Sequence, residues 1–382
     1  MISFARSDHS MLSRWWWTVD RWLILALLLL ISVGLLLTFA ASPAVAERLG
    51  LPSFYFAQRQ FVFLSGAVGV MFLVSLAQIK TIRRLACILF PVTLILLYAT
   101  LFLGPEIKGA TRWLHIAGFS LQPIEFLKPA FVVFTAWMLS EQFKIPGFPG
   151  RKIALGGFVI VLAGLFFQPD FGQAVLISAV FAAQLIAAGL PLLWIGVFGG
   201  LSLGALGIGY WQVPHVQARL DAFLNPESVD SYQIDTALNA FRSGGWFGLG
   251  PGEGSVKKVL PDAHSDFIFA VAGEEFGALA CLGILFLFTV IVVRGLSHLL
   301  EEEDSFVVLA ASGLIVLFGL QALINIGVNL AVIPAKGMTL PFISYGGSSA
   351  LALALSMGMV LALTRRNRFL KSHGAQTRRG KG

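Results

Sequence analysis

The 382-residue sequence is 57% apolar and only 12% charged, with 33 Phe and a mean hydropathy of +0.82. A soluble domain of that composition would have too few polar side chains to cover its core, so water-soluble classes are excluded and a polytopic membrane protein is predicted. The 27 Lys and Arg against 20 Asp and Glu give a net charge of +7, which in such a chain is first a topology signal, and nucleic-acid binding is not supported.

Apolar runs occur at about 22–41, 61–77, 85–103, 124–140, 153–167, 174–189, 191–211, 267–293, 305–324 and 347–364. They are continuous rather than alternating, so they predict membrane-spanning helices and not barrel strands. The expected fold is an all-α integral membrane protein with about ten transmembrane helices. It forms one domain over 1–382, with an N-terminal segment 1–21, a bundle 22–364 and a basic tail 365–382. If both termini are cytoplasmic, 17 basic residues lie inside and 9 outside, with Lys128 left within a span, as the positive-inside rule prefers. The long loop 212–266 between spans seven and eight is then periplasmic. Ala44-Val45-Ala46 approaches a signal-cleavage pattern, but the run before it has the length of a span, so cleavage is not expected. Cys87 and Cys281 both lie in apolar runs and form neither a CxxC motif nor a disulfide framework.

Charge inside a bilayer costs several kcal/mol (about 3), so polar residues within or beside the spans are the candidates for function. Taken along the chain, the first is Lys108–Leu114, where Lys108, Arg112 and Trp113 lie at headgroup level. The two cations suit a phosphate there, and interfacial snorkelling is the plainer reading. Glu125 and Lys128 follow at i and i+3, a spacing that puts them on one helical face either as a structural ion pair or facing a substrate cavity. In Gln168–Gln173, Asp170 is positioned to cap the next helix. Six glycines between Gly244 and Gly254 match neither phosphate-loop fingerprint and imply only a close backbone approach to a ligand or to the bilayer surface. Asp266, in Leu260–Phe269, stands at the start of the eighth run, where it could be an N-cap or a general base at the mouth of a cavity. Glu274 and Glu275 are consecutive acids within that run and cannot share a face, so at least one points inward. Asn325–Asn329 and the Pro-, Gly- and Ser-rich Pro334–Ser349 are polar, irregular sequence beside the last two runs, which must be buried in protein or line a wet cavity.

Together these segments resemble the SEDS family of integral membrane proteins that polymerise bacterial peptidoglycan. Lys108–Leu114, Gln122–Lys128, Gln168–Gln173, Leu260–Phe269 with Glu274-Glu275-Phe276-Gly277, and Asn325–Ser349 stand in the family's order over nearly the whole chain. Pro334–Ser349 is similar to the division branch (FtsW) rather than the elongation branch (RodA). Ile124 replaces the family's usual Ser and Ser265 its usual Thr, and neither change removes a charge.

The resemblance implies an inverting glycosyltransferase that uses lipid II as donor and acceptor. Asp266 would be the catalytic base, and Lys108, Arg112, Glu125, Lys128, His264, Lys336, Ser344 and Gly346 would line the substrate site. The residues themselves fit such a substrate, since Lys108, Arg112 and Lys128 offer cations for a pyrophosphate. No metal cage is spaced into the sequence, so a divalent cation (Mg or Mn) would be shared with the substrate pyrophosphate, if bound. Implied partners are a class B penicillin-binding protein, other divisome proteins and membrane lipids, at the septum of the bacterial inner membrane. A lipid II flippase and a non-catalytic divisome scaffold are the rival classes.

Overall fold

The computed structural model describes residues 10–106, 110–116, 118–191, 232–334 and 337–365, with isolated positions between 193 and 217. Among them, nine long helices coincide with nine of the ten predicted runs. They are α2 (Arg21–Arg48), α3 (Tyr55–Ser75), α4 (Ile79–Leu103), α5 (Pro123–Lys144), α6 (Gly150–Phe167), α7 (Phe171–Ala187), α9 (Ile268–Ser297), α10 (Ser305–Asn329) and α11 (Gly347–Leu363). Most of the run 191–211, and residues 212–231 of the loop after it apart from Gln217, lie outside the described residues. Two shorter helices complete the set, α1 (Met11–Thr18) and α8 (Tyr232–Gly244).

Two features depart from the expected all-helical bundle with a plain N-terminal segment. One is an antiparallel hairpin, β1 (Leu114–Ile116) with β2 (Phe119–Leu121), in which Leu114 pairs with Leu121. The other is α1, an amphipathic helix whose Trp15 Nε1 donates to Ser75 Oγ at 2.9 Å, while Arg21 lies over the rings of Trp16 and Trp17. Such a helix fits the membrane surface, where indole rings and arginines are favoured.

Helix starts follow from local chemistry. Asp20, Asp170 and Asp304 each accept from backbone N–H groups at the beginning of α2, α7 and α10, and Pro123 opens α5 where its missing N–H costs nothing. The centre of the bundle is formed by α5 and α10, with α11 packed on α3 and α9 on α2 and α10. Lipid-facing positions such as Leu29, Ile95 and Phe286 remain exposed, the arrangement expected when apolar solvent surrounds the fold.

Polar contacts gather at the two ends of the bundle. At one end Asp20 binds Arg294 Nε at 2.6 Å and also contacts His298 Nε2, Arg83 meets Glu141, and Lys144 meets Asp304. Burial pushes the Asp20 carboxyl up, but hydrogen bonds from Arg294, His298 and the Leu23 N–H outweigh it and leave the group below its ordinary value. At the other end Arg48 donates to the Leu260 carbonyl, Arg112 to the Pro169 carbonyl and Tyr345 N–H to the His264 carbonyl. The α2–α3 connection, the hairpin, the segment 245–267 and the segment before α11 therefore share one face.

The six glycines of 244–254 find their purpose here. Helix α9 is broken at Gly277, where φ is 78°, a region that favours glycine. The groups freed by the break bond to the glycine-rich loop: Leu249 N–H to Glu274 O, Gly250 N–H to Glu275 O, and Ala278 N–H to Gly245 O. A Cβ at Gly277 would lie 2.4 Å from the Trp246 carbonyl oxygen, and one at Gly248 would lie 2.2 Å from that of Glu275. The close approach is to a helix of the bundle, where composition had suggested a ligand or the bilayer surface.

Candidate active site

Three amides at four-residue intervals, Gln321, Asn325 and Asn329, stripe one face of the otherwise apolar α10, and all three are buried. Burying an unpaired amide costs about 1–3 kcal/mol, so each must find partners, and those partners are the segments around Asp266. Asn325 Nδ2 donates to the carbonyls of Asp266 (2.9 Å) and Met338 (2.6 Å). Asn329 Nδ2 donates to the Asp266 carbonyl at 2.9 Å, and its Oδ1 accepts from Ala270 N–H at 3.1 Å. Asn329 thus serves the first turn of α9, whose N-cap residue is Phe267. The N-cap alternative for Asp266 is corrected accordingly.

The Asp266 side chain is half-buried and lies beside Gly337, where a Cβ would come 3.3 Å from Asp266 Oδ2. Glycine at 337 keeps that side of the carboxylate clear. Asp262 and Phe342, in the two segments that frame Asp266, hold φ values of 51° and 60°, a left-handed backbone that costs a non-glycine residue roughly 1 kcal/mol or more. Ser344 Oγ donates to the Ser265 carbonyl at 2.6 Å and accepts from Leu340 N–H at 2.7 Å. Gln60, buried on α3, donates to the Ser344 carbonyl and accepts from Gly346 N–H. Ser344 and Gly346 therefore fix the loop that faces Asp266.

His264 packs its ring 4.5 Å from Phe56 and 5.2 Å from Tyr345. Burial lowers its pKa to about 4, with Arg48 adding to that and Asp262 opposing it, so the imidazole is neutral at pH 7.

Glu125 and Lys128 form a pair at 2.9 Å, 4% and 2% exposed. Lys128 Nζ also donates to Gln321 Oε1 at 2.9 Å, and Gln173 Nε2 to Glu125 Oε1 at 3.3 Å. Gln321 Nε2 continues to the Thr339 carbonyl, and Gln173 N–H to Asp170, which meets Arg112 at 3.4 Å. One polar chain thus runs from Arg112 through the Glu125–Lys128 pair to the loop beside Asp266. The cavity under the pair measures about 10 Å³, room for roughly one water. Lys108 and Lys336 lie outside the described residues.

Both inner acids face protein. Glu274 accepts from the N–H groups of Val256 (2.7 Å) and Lys257 (2.9 Å), and Glu275 pairs with Lys257, whose Nζ also donates to the Ala40 carbonyl. Among the described residues no three His, Cys, Asp or Glu side chains gather as a metal cage.

A membrane bundle with a framed carboxylate at one polar end is the architecture of a known class, and the comparisons identify it. The chain belongs to the FtsW/RodA/SpoVE family of cell cycle proteins, whose profile matches residues 20–369. It is 48% identical over 365 residues to a probable peptidoglycan glycosyltransferase FtsW of Caulobacter vibrioides, covering 95% of this chain and 94% of that one. Its fold is similar to a chain of a peptidoglycan synthase complex that coordinates polymerisation and crosslinking, with a TM-score of 0.73 at 26% identity over 91% of this chain and 97% of that one. It is also similar to the rod shape determining protein RodA of Thermus thermophilus, with a TM-score of 0.66, the same identity and the same coverage. The resemblance read from the motifs is thereby established, and the chain is a multi-pass membrane protein of this family.

Proposed function

We propose that the chain is a peptidoglycan glycosyltransferase that polymerises lipid II for septal wall synthesis, with Asp266 as its general base. The acceptor sugar hydroxyl attacks the donor anomeric carbon, a C–O bond forms there, and the bond to the diphosphate breaks with its electron pair leaving on undecaprenyl pyrophosphate. The hydroxyl proton passes to Asp266, a transfer that typically contributes roughly 10²–10⁴-fold. The observation that carries the reading is the half-buried Asp266 carboxylate beside Gly337, with its backbone held by Asn325 and Asn329. The other acids singled out from sequence are committed elsewhere: Glu125 to Lys128, Glu274 to backbone N–H groups, Glu275 to Lys257.

The basic asymmetry of 17 to 9 supports an Asp266 end that faces the periplasm and a cytoplasmic tail, in the inner membrane at the septum. Likeness to a synthase complex that joins polymerisation with crosslinking supports a class B penicillin-binding protein as partner. A flippase needs a path through the bundle, whereas the central charges are paired beside a cavity of only about 10 Å³. The test is the purified chain with its partner and labelled lipid II. Glycan strands are expected, and lipid II transfer across vesicles without strands would favour the flippase.

A further inference from the structure

Arg59 differs from three other arginines at the polar ends of the bundle. Arg83, Arg112 and Arg294 each meet a carboxylate. Arg59 is exposed, on the second turn of α3, where its guanidinium lies 5.0 Å over the ring of Tyr55 and near the Tyr345 hydroxyl. Among the described residues it has no ion pair to an acid, so its charge remains available for an anion. Tyr345 in turn packs on His264 at 5.2 Å and edge-on to Phe56 at 5.2 Å, and its N–H donates to the His264 carbonyl, two residues before Asp266. The next residue on α3, Gln60, grips the chain on either side of Tyr345. The first two turns of α3 are therefore locked to the two segments that frame Asp266, and they present a planar cation over an aromatic ledge.

We infer that Arg59, over the Tyr55 ring and beside the aromatic cluster of Phe56, His264 and Tyr345, is a subsite for the diphosphate and first sugar of one lipid-linked substrate, on the α3 side of Asp266. The inference rests on the glycosyltransferase reading. A guanidinium offers parallel N–H donors matched to phosphate oxygens, and aromatic faces suit the apolar face of a sugar ring. Polymerisation needs two lipid-linked substrates at once, each with its own phosphates. Arg112 stands at the start of α7, already held by Asp170 and the Pro169 carbonyl, so a second cation, on α3, supplies what one arginine cannot. The neutral state of His264 suits the ledge, because a charged imidazole would compete with Arg59 for the same anion.

The test uses the full chain purified with its transpeptidase partner and compares Arg59→Gln, Arg59→Lys and Tyr345→Phe with wild type. The readouts are KM and kcat for labelled lipid II and thermal stability. Arg59→Gln should raise KM about tenfold or more with the melting temperature unchanged, and Arg59→Lys, which keeps the charge but not the paired N–H donors, should recover only part of the loss. Undecaprenyl pyrophosphate should inhibit wild type better than the Gln variant, whereas undecaprenyl phosphate should discriminate less between them. An unchanged KM in Arg59→Gln overturns the subsite. So does an equal loss of stability in Arg59→Gln and Tyr345→Phe with KM unmoved, which would make Arg59 a prop for the ring. If wild type itself yields no glycan, the parent reading fails instead, and the two failures are distinct.

Discussion

Replacing Lys128 by Met removes an amine from between two acceptors and leaves Glu125 charged in a site only 4% exposed. At 2.9 Å and an effective dielectric of 20, the pair's Coulomb attraction is about 6 kcal/mol. Most of that offsets the desolvation of the two ions, so the intact pair contributes little net stability, yet breaking it costs about 3–5 kcal/mol. Among the described residues Gln173, at 3.3 Å, is the one side-chain donor left to Glu125, too long a contact to compensate. Lys128→Met should therefore lose several kcal/mol in equilibrium unfolding in mixed SDS and dodecylmaltoside micelles. Adding Glu125→Gln should restore much of it, giving a coupling energy well above the 0.5 kcal/mol or so seen for independent sites. The charge-swapped pair, Glu125→Lys with Lys128→Glu, separates structure from substrate contact: stability recovered without polymerisation means that the cation also meets substrate. Additive single losses would refute the pair as a coupled unit.

Three further outcomes follow from the same geometry. Gly337→Ala puts a Cβ 3.3 Å from Asp266 Oδ2 and should lower polymerisation about tenfold with little change in stability, both measured on the purified complex. His264, with its pKa lowered to about 4 from an ordinary 6.5, binds fewer protons folded than unfolded between those values. Stability should be unaffected above pH 6.5 and fall as the pH drops toward 4, by on the order of 2 kcal/mol near pH 4.5, and His264→Gln should flatten that slope in unfolding measured against pH. Single cysteines at Glu253 and Glu302, in a background without Cys87 and Cys281, should differ in labelling by an impermeant maleimide in spheroplasts, with Glu253 labelled; the reverse pattern inverts the topology.

The spans were legible because each apolar run had to be a helix, and nine of the ten coincide with described helices. Their ends were less so. Helix α3 begins at Tyr55 rather than near 61, because Gln58, Arg59 and Gln60 lower the hydropathy, while the buried Gln60 side chain is satisfied by the Ser344 carbonyl and the Gly346 N–H. The break at Gly277 was invisible, since an apolar run reads alike whether straight or broken. The Glu125–Lys128 pair was legible from its spacing. Gln321 was passed over, although its interval to Asn325 and Asn329 marks one face of α10 and could have revealed the polar chain that joins Lys128 to Thr339. Asp266 was found as an acid at a helix start, where sequence could not separate base from cap. The structure speaks to the cap alone: Asn329, 63 residues further along the chain than Asp266, takes the capping contact.

The central claim is that Asp266 accepts the proton of the attacking hydroxyl, and Asp266→Asn tests it most directly. The amide keeps the side chain's volume and its place beside Gly337 but cannot take a proton. The purified variant, with its transpeptidase partner and labelled lipid II, should show wild-type thermal stability and a loss of glycan synthesis of about 100-fold or more. Polymerisation at even a third of the wild-type rate would contradict the assignment and leave the chemistry without its base.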